Sequence, residues 1–175
     1  MSSKNSWDKK EAQVLGRIQG ALFDAPCVLP AARGMSHFGE HALGWLGIAG
    51  AGAAVDKQRR RKWLVMGAGA FTAHAASVVL KRIVRRRRPH DPRVKIGVGT
   101  PSRLSFPSSH ATSTSAAMVH LADITGSNLP FAGIPIMMTS RMVLGVHYPT
   151  DTLVGALLGT GVARAAINIE RNTRD

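Results

Sequence analysis

Five apolar segments, separated by polar or basic stretches, constrain the fold of this chain more than any other feature. The second has 18 residues without a charge, the length a helix needs to cross the hydrocarbon core of a bilayer. All five are rich in Gly, Ala, Ser and Thr, which lets helices approach closely in lipid, and none alternates as a strand would. The sequence therefore predicts an all-α integral membrane bundle of about five spanning helices, formed by residues 41–55, 63–80, 111–122, 129–146 and 152–169.

The segment before the bundle has a different pattern. Within residues 12–23, Val14, Leu15, Ile18 and Leu22 recur at helical spacing with polar residues between them. This favours an amphipathic helix on a membrane surface, although a surface helix of a soluble domain fits the segment equally well. The predicted plan is a single domain over residues 1–175, with a polar N-terminal tail (1–11), an interfacial helix (12–30) and the helical bundle (36–169).

The formal net charge of +13 indicates an anionic partner: nucleic acid, a phospholipid surface or a phosphorylated metabolite. Basic residues are densest at 81–88, directly after the uncharged segment. Side chains at the end of a spanning helix can reach the lipid headgroups, which accounts for Arg82 and for residues 85–87. The chain has one tyrosine and no interleaved aromatic residues on which bases can stack. We therefore predict membrane lipids, and no nucleic acid, as partners.

An arginine, a histidine and an acid stand close together at Arg141, His147 and Asp151, between two apolar segments. A charge in such surroundings is costly unless it is paired or solvated. One explanation for these residues is covalent catalysis. Asp151 would hold the imidazole in one tautomer so that the other ring nitrogen can attack, and Arg141 would neutralise an anionic substrate. We expect Pro149 to open the last helix, with Asp151 in its first turn.

A second motif, at residues 107–110, reads Pro-Ser-Ser-His. We expect Pro107 to be the first residue of a helix, because its missing N–H costs nothing there. The residues that follow then present free backbone N–H groups, a site for phosphate, and Ser108 and Ser109 add hydroxyl donors. His110 lies in the same turn and is placed to protonate a leaving oxygen. A capped helix with a histidine facing solvent is the purely structural alternative.

Five spanning helices bring these stretches together. The loop 81–103, the start of the third segment and the junction of the fourth and fifth then lie on one membrane face. His74 and His120, on apolar segments, are expected to pack in the bundle or to line a pore. His37 and His41 are given no role.

In order and spacing, three fragments of the chain resemble the signature of the type-2 phosphatidic acid phosphatase superfamily. They read K-x6-R-P (Lys81, Arg88, Pro89), P-S-S-H (107–110) and S-R-x5-H-x3-D (Ser140, Arg141, His147, Asp151). Each fragment is weak alone, and the three together are specific. The resemblance implies a metal-independent phosphatase without cofactors, built as a helical bundle and working through a phosphohistidine intermediate.

The resemblance also implies a role for each matching residue. His147 is the nucleophile on phosphorus, and Asp151 orients it and stabilises its charge. His110 protonates the leaving alkoxide and then activates the water that hydrolyses the phosphoenzyme. Three cations and a helix terminus supply the positive charge that phosphoryl transfer requires. The implied ligands of the phosphoryl oxygens are Lys81, Arg88, Ser108, Ser109 (through its backbone N–H) and Arg141.

One position departs from the family pattern, which usually has glycine where this chain has Ser109. Glycine lets a backbone approach phosphate without a Cβ. Serine can do the same if its φ is helical, so we expect function to be retained.

Within the superfamily, the compact size, short loops and Ala- and Arg-rich composition look like the actinobacterial enzymes that remove the 5-phosphate of decaprenylphosphoryl-5-phosphoribose. This implies a polyprenyl-linked lipid phosphate of cell-wall arabinan synthesis as substrate, and a multi-pass protein of the cell membrane. Undecaprenyl-diphosphate phosphatase, phosphatidylglycerophosphate or phosphatidate phosphatase, and a catalytically silent lipid-binding scaffold are the alternatives. The charge distribution leaves open which membrane face carries the site, and the sequence indicates no oligomeric state.

Overall fold

The computed structural model describes residues 2–173, and the side chains of residues 7–173. Over this range the chain is helical, apart from its connecting loops and one isolated β-bridge between Arg87 and Leu104. Short 3₁₀ turns at Glu40–Ala42 and Leu129–Ala132 precede two of the helices. The α-helices are α1 (Ser2–Leu22), α2 (Val28–Phe38), α3 (Leu43–Val55), α4 (Arg60–Val84), α5 (Ser109–Thr125), α6 (Gly133–Val143) and α7 (Pro149–Asn172).

Helix α5 is the centre of the bundle, and its sequence explains why. Every residue from 111 to 120 is buried, and most of them are Ala, Ser or Thr, whose short side chains let neighbouring helices approach. Helices α4, α6 and α7 all pack against it. Two of its buried hydroxyls donate to carbonyl oxygens one turn earlier, Thr112 to Ser108 at 2.8 Å and Ser113 to Ser109 at 3.0 Å. These polar side chains are therefore satisfied inside the bundle.

Two glycines let α7 lie directly against α5. A Cβ at Gly155 would be 2.7 Å from the carbonyl oxygen of Ser108, and a Cβ at Gly159 would be 2.0 Å from that of Thr112. No side chain fits at these separations, so the close approach depends on glycine. The same packing sets the first turn of α7 beside the start of α5, where Ser108 N–H donates to the carbonyl oxygen of Asp151 at 2.9 Å.

All five predicted apolar segments form helices, but they differ in length. The third and fifth extend into flanking residues at both ends, as α5 and α7. The first forms the 13-residue α3, and the fourth is divided between a 3₁₀ turn and the 11-residue α6. The all-helical bundle is thus confirmed, whereas five complete membrane spans stay a prediction.

Two of the described helices, α4 and α7, are long and apolar enough to cross a membrane. Large apolar side chains are exposed along both, among them Phe71 and Ile83 on α4 and Leu157 and Ile169 on α7. A water-soluble monomer rarely leaves so much contiguous apolar surface uncovered. The outer surface of the bundle is therefore that of a protein which meets lipid.

The N-terminal region differs from its predicted plan. Helix α1 begins at Ser2, so the predicted polar tail, residues 1–11, is helical throughout its described part. The predicted interfacial helix, residues 12–30, is divided between α1 and α2. Two acids of the predicted tail, Asp8 and Glu11, are paired with Arg86 of the loop after α4.

The apolar stripe of α1 is used for packing within the protein. Leu15 is completely buried, and Ile18 and Leu22 contact the cluster formed by Ala32, Val143 and neighbouring residues. Among the four residues of the predicted stripe, Val14 alone is exposed. The stripe therefore faces α2 and α6, and a position of α1 at the membrane surface stays a prediction.

Replacing Gly159 with alanine is expected to destabilise the bundle, because the new methyl group meets the carbonyl oxygen of Thr112. Overpacking of this kind costs about 1–3 kcal/mol. For a chain of this size each kcal/mol lowers the thermal midpoint by roughly 2–4 °C. The midpoint would be measured on purified protein in detergent.

Gly161→Ala is the matched control on the same helix, because a Cβ at Gly161 meets nothing within 4 Å. The higher helix propensity of alanine should leave its midpoint unchanged or raise it. Equal midpoints for the two variants would contradict the packing of α7 on α5.

Candidate active site

The loop after α4 directs Arg86 and Arg88 to one side of the chain and Arg87 to the other. The backbone is extended here and paired with the returning loop: Ser105 N–H donates to Arg86 O at 2.8 Å, and Arg88 N–H donates to Arg103 O at 3.1 Å. Successive side chains of an extended segment point in opposite directions. Arg86 and Arg88 accordingly bond within the protein, whereas Arg87 is exposed.

Lys81, in the last two turns of α4, is buried with its ammonium group against carbonyl oxygens of the same loop. Its Nζ is 3.0 Å from Pro107 O, with Leu104 O and Ser105 O at 3.3 and 3.4 Å. Carbonyl dipoles hold the cation in place without neutralising it. Nearby, burial lowers the pKa of Arg88 to about 10, so that this side chain also stays charged at neutral pH.

The start of α5 differs from the prediction for Pro107. Ser108 is the N-cap, in an extended conformation, and α5 begins at Ser109. The Oγ of Ser108 accepts a hydrogen bond from Ala111 N–H at 3.4 Å, and the residue is completely buried. A serine at this position satisfies a helix N–H that has no partner within the helix. Proline therefore precedes the cap, and the first free N–H groups belong to Ser109 and the residue after it.

Ser109 has the helical backbone that a serine in place of glycine requires, and its Oγ is hydrogen-bonded to Ser77 Oγ at 2.8 Å. His110 follows it. Its Nε2 is 2.9 Å from Ser36 O, so Nε2 carries a proton and Nδ1 is the nitrogen free to exchange one. Gly39 makes room for this ring, because a Cβ there would be 2.7 Å from His110 Cδ2.

Arg141 lies in the last turn of α6 and is almost completely buried. In the described part of the chain, its Nε and Nη1 have no hydrogen-bond partner. Buried polar groups are normally bonded, and an unpaired buried charge is especially costly. A guanidinium group matches the geometry of phosphate or carboxylate oxygens. The arrangement therefore indicates an anionic ligand as the partner of Arg141.

His147 is buried in the connection between α6 and α7. Its Nε2 is 3.2 Å from Arg88 Nη1, which also donates to Val146 O at 2.7 Å. Since arginine only donates, Nε2 is the unprotonated nitrogen and Nδ1 carries the proton. Burial, and then the charges of Arg88 and Arg141, lower the pKa of His147 well below that of an ordinary histidine. The imidazole is therefore neutral at physiological pH, with a lone pair on Nε2.

Asp151 is completely buried in the first turn of α7, which Pro149 opens as the sequence predicts. Its Oδ2 accepts from Tyr148 N–H at 2.8 Å, and its Oδ1 accepts from Arg86 Nη1 at 2.9 Å. The distance from Oδ2 to His147 Nδ1 is 3.8 Å, within ion-pair range but too long for a hydrogen bond. The carboxylate is thus already engaged, and the tautomer of the imidazole is set by the hydrogen bond from Arg88 and not by Asp151.

A cavity of about 320 Å³ joins these groups. Its cationic lining suits an anion rather than a metal ion, and in the described part of the chain no three His, Cys, Asp or Glu side chains are grouped to hold a metal. Two of the predicted residues, Ser108 and Asp151, are buried and do not line the cavity. The other six line it together: Lys81, Arg88, Ser109, His110, Arg141 and His147.

Several cavity residues had no role in the sequence analysis. His37, Glu40, His41 and His74 all contribute to the lining, and the rings of His41 and His74 are 5.9 Å apart. His74 was expected to pack in the bundle or to line a pore, and it lines the cavity. The others lie far from the motifs in sequence, and the turn between α2 and α3 brings them to the cavity, a placement that no local pattern signals.

Arg86 was also missed. The basic run from which it comes predicts a cation that reaches the lipid headgroups. The structure instead pairs it with Asp151 and with two acids of α1. Its spacing of two residues from Arg88 was the available signal, because alternate residues of an extended segment share a side.

Comparison with known proteins identifies the family. Residues 62–175 match the family model of the PAP2 superfamily. Two relatives are both named decaprenylphosphoryl-5-phosphoribose phosphatase. The protein from Mycolicibacterium smegmatis is 58% identical over 145 residues, which cover 83% of this chain and 81% of the relative. The protein from Mycobacterium tuberculosis is 54% identical over 152 residues, which cover 87% and 86%.

Solved structures share the fold at low sequence identity. A transmembrane PAP2-type phosphatidylglycerolphosphate phosphatase from Bacillus subtilis superposes with a TM-score of 0.74 at 22% identity, over 98% of this chain and 88% of its own. LpxE from Aquifex aeolicus gives 0.70 at 18% identity, over 89% and 93%. The match over residues 62–175 and the identity with the two mycobacterial relatives show that this chain belongs to the PAP2 superfamily.

Proposed function

We propose that this protein is a membrane phosphatase that removes the 5-phosphate of decaprenylphosphoryl-5-phosphoribose through a phosphohistidine intermediate. The observation that carries the proposal is that His147 and Arg141 line the same cavity. A neutral buried imidazole lies in the same cavity as a buried guanidinium group with two unpartnered nitrogens. A phosphoryl group in this cavity supplies the missing partner of Arg141 and an electrophile for His147. The name shared by the two mycobacterial relatives supports the substrate.

The first step is attack by His147 Nε2 on phosphorus. The new N–P bond forms as the bond between phosphorus and the ribose oxygen breaks. The proton on Nδ1 stays on the ring, so that the phosphorylated imidazole becomes cationic, and Asp151, 3.8 Å away, stabilises this charge. Lys81, Arg88 and Arg141 balance the negative charge of the phosphoryl oxygens during transfer.

The leaving oxygen takes a proton from His110. Its Nε2–H stays bonded to the carbonyl oxygen of Ser36, so His110 enters this step as the imidazolium, with a proton on each ring nitrogen, and gives up the proton on Nδ1. In the second step His110 accepts a proton from water, the water oxygen bonds to phosphorus, and the N–P bond breaks to release inorganic phosphate. The backbone N–H of Ser109 adds a donor to the phosphoryl oxygens, and Ser108 supports it by capping the helix.

The remainder of the cavity suits a sugar headgroup joined to a lipid chain. His37, Glu40 and His41 provide donors and acceptors for hydroxyl groups. Val78 of α4 also lines the cavity, and the next residue, Val79, is among the exposed apolar side chains of this helix. The cavity therefore opens beside an apolar helix face, where a polyprenyl chain can remain in the bilayer while the phosphoribose enters.

We place the protein in the cell membrane as a multi-pass bundle. Helices α4 and α7 are the longest apolar helices, and each exceeds the roughly 20 residues that a span needs. Helices α3, α5 and α6 complete a bundle of about five segments. The exposed apolar side chains of α3 and α6, Ile48 and Ile136 among them, support their contact with lipid.

Phosphate release in excess EDTA tests the chemistry. We expect the purified protein in detergent to hydrolyse decaprenylphosphoryl-5-phosphoribose faster than undecaprenyl diphosphate or phosphatidate. His147→Ala should reduce turnover by about 10³-fold or more, the order of effect expected when a nucleophile is removed. His90→Ala, which changes an exposed histidine of the loop after α4, is the matched control and should keep full turnover.

Three results would contradict this account. Undiminished phosphate release by His147→Ala would exclude His147 as the nucleophile. Loss of activity in EDTA would require a metal. Tight lipid binding without phosphate release from any of the three lipids would favour the scaffold alternative.

Arg141→Met is expected to weaken inorganic phosphate as a competitive inhibitor by about 10–100-fold, since hydrogen bonds to a charged group contribute roughly 1.5–3 kcal/mol. The same change should leave the thermal midpoint without phosphate equal or higher, because it removes a buried cation with two unpartnered nitrogens. Arg141→Lys should recover part of the affinity, as lysine keeps the charge without the bidentate geometry.

The matched control for this pair is Arg164→Met, which changes an exposed arginine of α7. Inhibition constants and thermal midpoints would be measured for all three variants. Unchanged inhibition by phosphate in Arg141→Met would exclude Arg141 as the phosphate ligand.

A further inference from the structure

Arg86 stands among three carboxylates that belong to two different helices. Its Nη1 donates to Asp151 Oδ1 on α7 at 2.9 Å, and its Nη2 donates to Asp8 Oδ1 and Glu11 Oε2 on α1 at 2.6 and 2.5 Å. The ring of Tyr148 lies 4.0 Å from the guanidinium carbon. Burial lowers the pKa of Arg86, but the hydrogen bonds and charges of the three acids outweigh it and raise the pKa above its ordinary value.

Glu11 holds the beginning of α7 as well. Its Oε1 accepts from Thr150 N–H at 2.9 Å, and its Oε2 accepts from Thr150 Oγ1 at 3.0 Å. Thr150 lies in the first turn of α7, where backbone N–H groups have no partner within the helix. A carboxylate from α1 therefore caps the helix turn that carries Asp151.

These contacts fix a carboxylate that does not itself line the cavity. One oxygen of Asp151 is held by the charged Arg86 and the other by the N–H of Tyr148. The second oxygen is also the one that faces His147 Nδ1 at 3.8 Å. Removing Arg86 leaves Asp151 completely buried without its cationic partner, a costly arrangement that frees the carboxylate to turn. The distance between Asp151 Oδ2 and His147 Nδ1 would then no longer be fixed by the hydrogen bonds of the carboxylate.

We propose that Arg86 and Glu11 are positioning residues of the phosphatase, and that through them α1 fixes Asp151 relative to the nucleophile His147. The inference rests on the proposed function, because it assigns the two residues to the phosphohistidine step. The first residues of α1 were predicted to form a polar tail. On this proposal the helix instead holds Asp151 in position at the active site. Neither residue contacts substrate; both act through Asp151 and the first turn of α7.

The test compares Arg86→Met, Arg86→Lys and Glu11→Gln in the full-length protein. Arg86→Met should lower kcat at least tenfold while KM and inhibition by inorganic phosphate change less than about threefold, because the phosphate ligands are intact. Arg86→Lys should recover part of kcat, since it restores the positive charge beside Asp151. Glu11→Gln should lower kcat by a smaller factor, because an amide can still accept from Thr150.

Arg87→Met is the matched control in the same basic run. The side chain of Arg87 is exposed on the other side of the extended segment, so its kcat should equal that of the unmodified protein. Thermal midpoints of all variants would separate loss of folding from loss of positioning. If Arg86→Met does not fold, Arg86→Lys and Glu11→Gln carry the comparison.

Each assay would use the polyprenyl phosphoribose lipid and also p-nitrophenyl phosphate, a small phosphomonoester. If the unmodified protein turns over either compound and the Arg86 and Glu11 variants keep full kcat, the positioning role is excluded and the proposed function stands. A rise in KM or a loss of phosphate inhibition with kcat unchanged would also overturn the positioning role. If the unmodified protein turns over neither compound, the proposed function fails and the positioning role fails with it.

Discussion

Buried positive charge that forms no ion pair within the described part of the protein is the constraint on which the rest of this structure depends. Lys81, Arg88 and Arg141 line one cavity with the buried His147. Asp151 is already bonded to Arg86, outside the cavity lining, and Glu40 lines the cavity without an ion pair to these cations in the described part of the chain. Charges of one sign in a low-dielectric interior repel each other strongly. The arrangement favours an anion in the cavity, and burial together with the same charges lowers the pKa of His147 well below its ordinary value.

The fold provides this arrangement by simple means. Short side chains on α5 and glycines on α7 bring the start of one helix against the first turn of the other, which sets His110 beside the α6–α7 junction. Carbonyl oxygens of the loop after α4 hold Lys81, and those of Ser102 and Val146 hold Arg88, without cancelling either charge. Side chains alternate along the extended segment of the same loop. Arg86 and Arg88 therefore point into the protein and form hydrogen bonds, whereas Arg87 points to solvent. Placement of the charges thus follows from local backbone geometry.

Much of this site could be predicted from the sequence, because the three motifs carry residue types with few other uses in an apolar setting. The convergence of Lys81, His110 and His147 followed from counting helices, and the cavity shows them together. The start of α5 was placed too early, since Pro107 precedes a serine that is the better cap. The role of Arg86 was not visible, because a run of basic residues gives no indication of which side chains turn inwards.

The N-terminal helix shows the same limit. Its apolar stripe was identified, but a stripe does not specify whether lipid or protein covers it, and here α2 and α6 do so. The polar residues before the stripe had no visible partner, because Arg86 lies some 75 residues later in the chain. Contacts that depend on two charged side chains far apart in sequence can be read only from the folded chain.

The central claim is that phosphate is transferred to His147 before it reaches water, and trapping the intermediate tests this most directly. The protein would be mixed with substrate carrying radiolabelled phosphate, quenched within milliseconds and separated from free phosphate. The account predicts labelled protein whose label survives alkali and is lost in acid, as an N–P bond requires, and which is absent from His147→Ala. Labelled protein in that variant, or a label that is stable in acid, would contradict it.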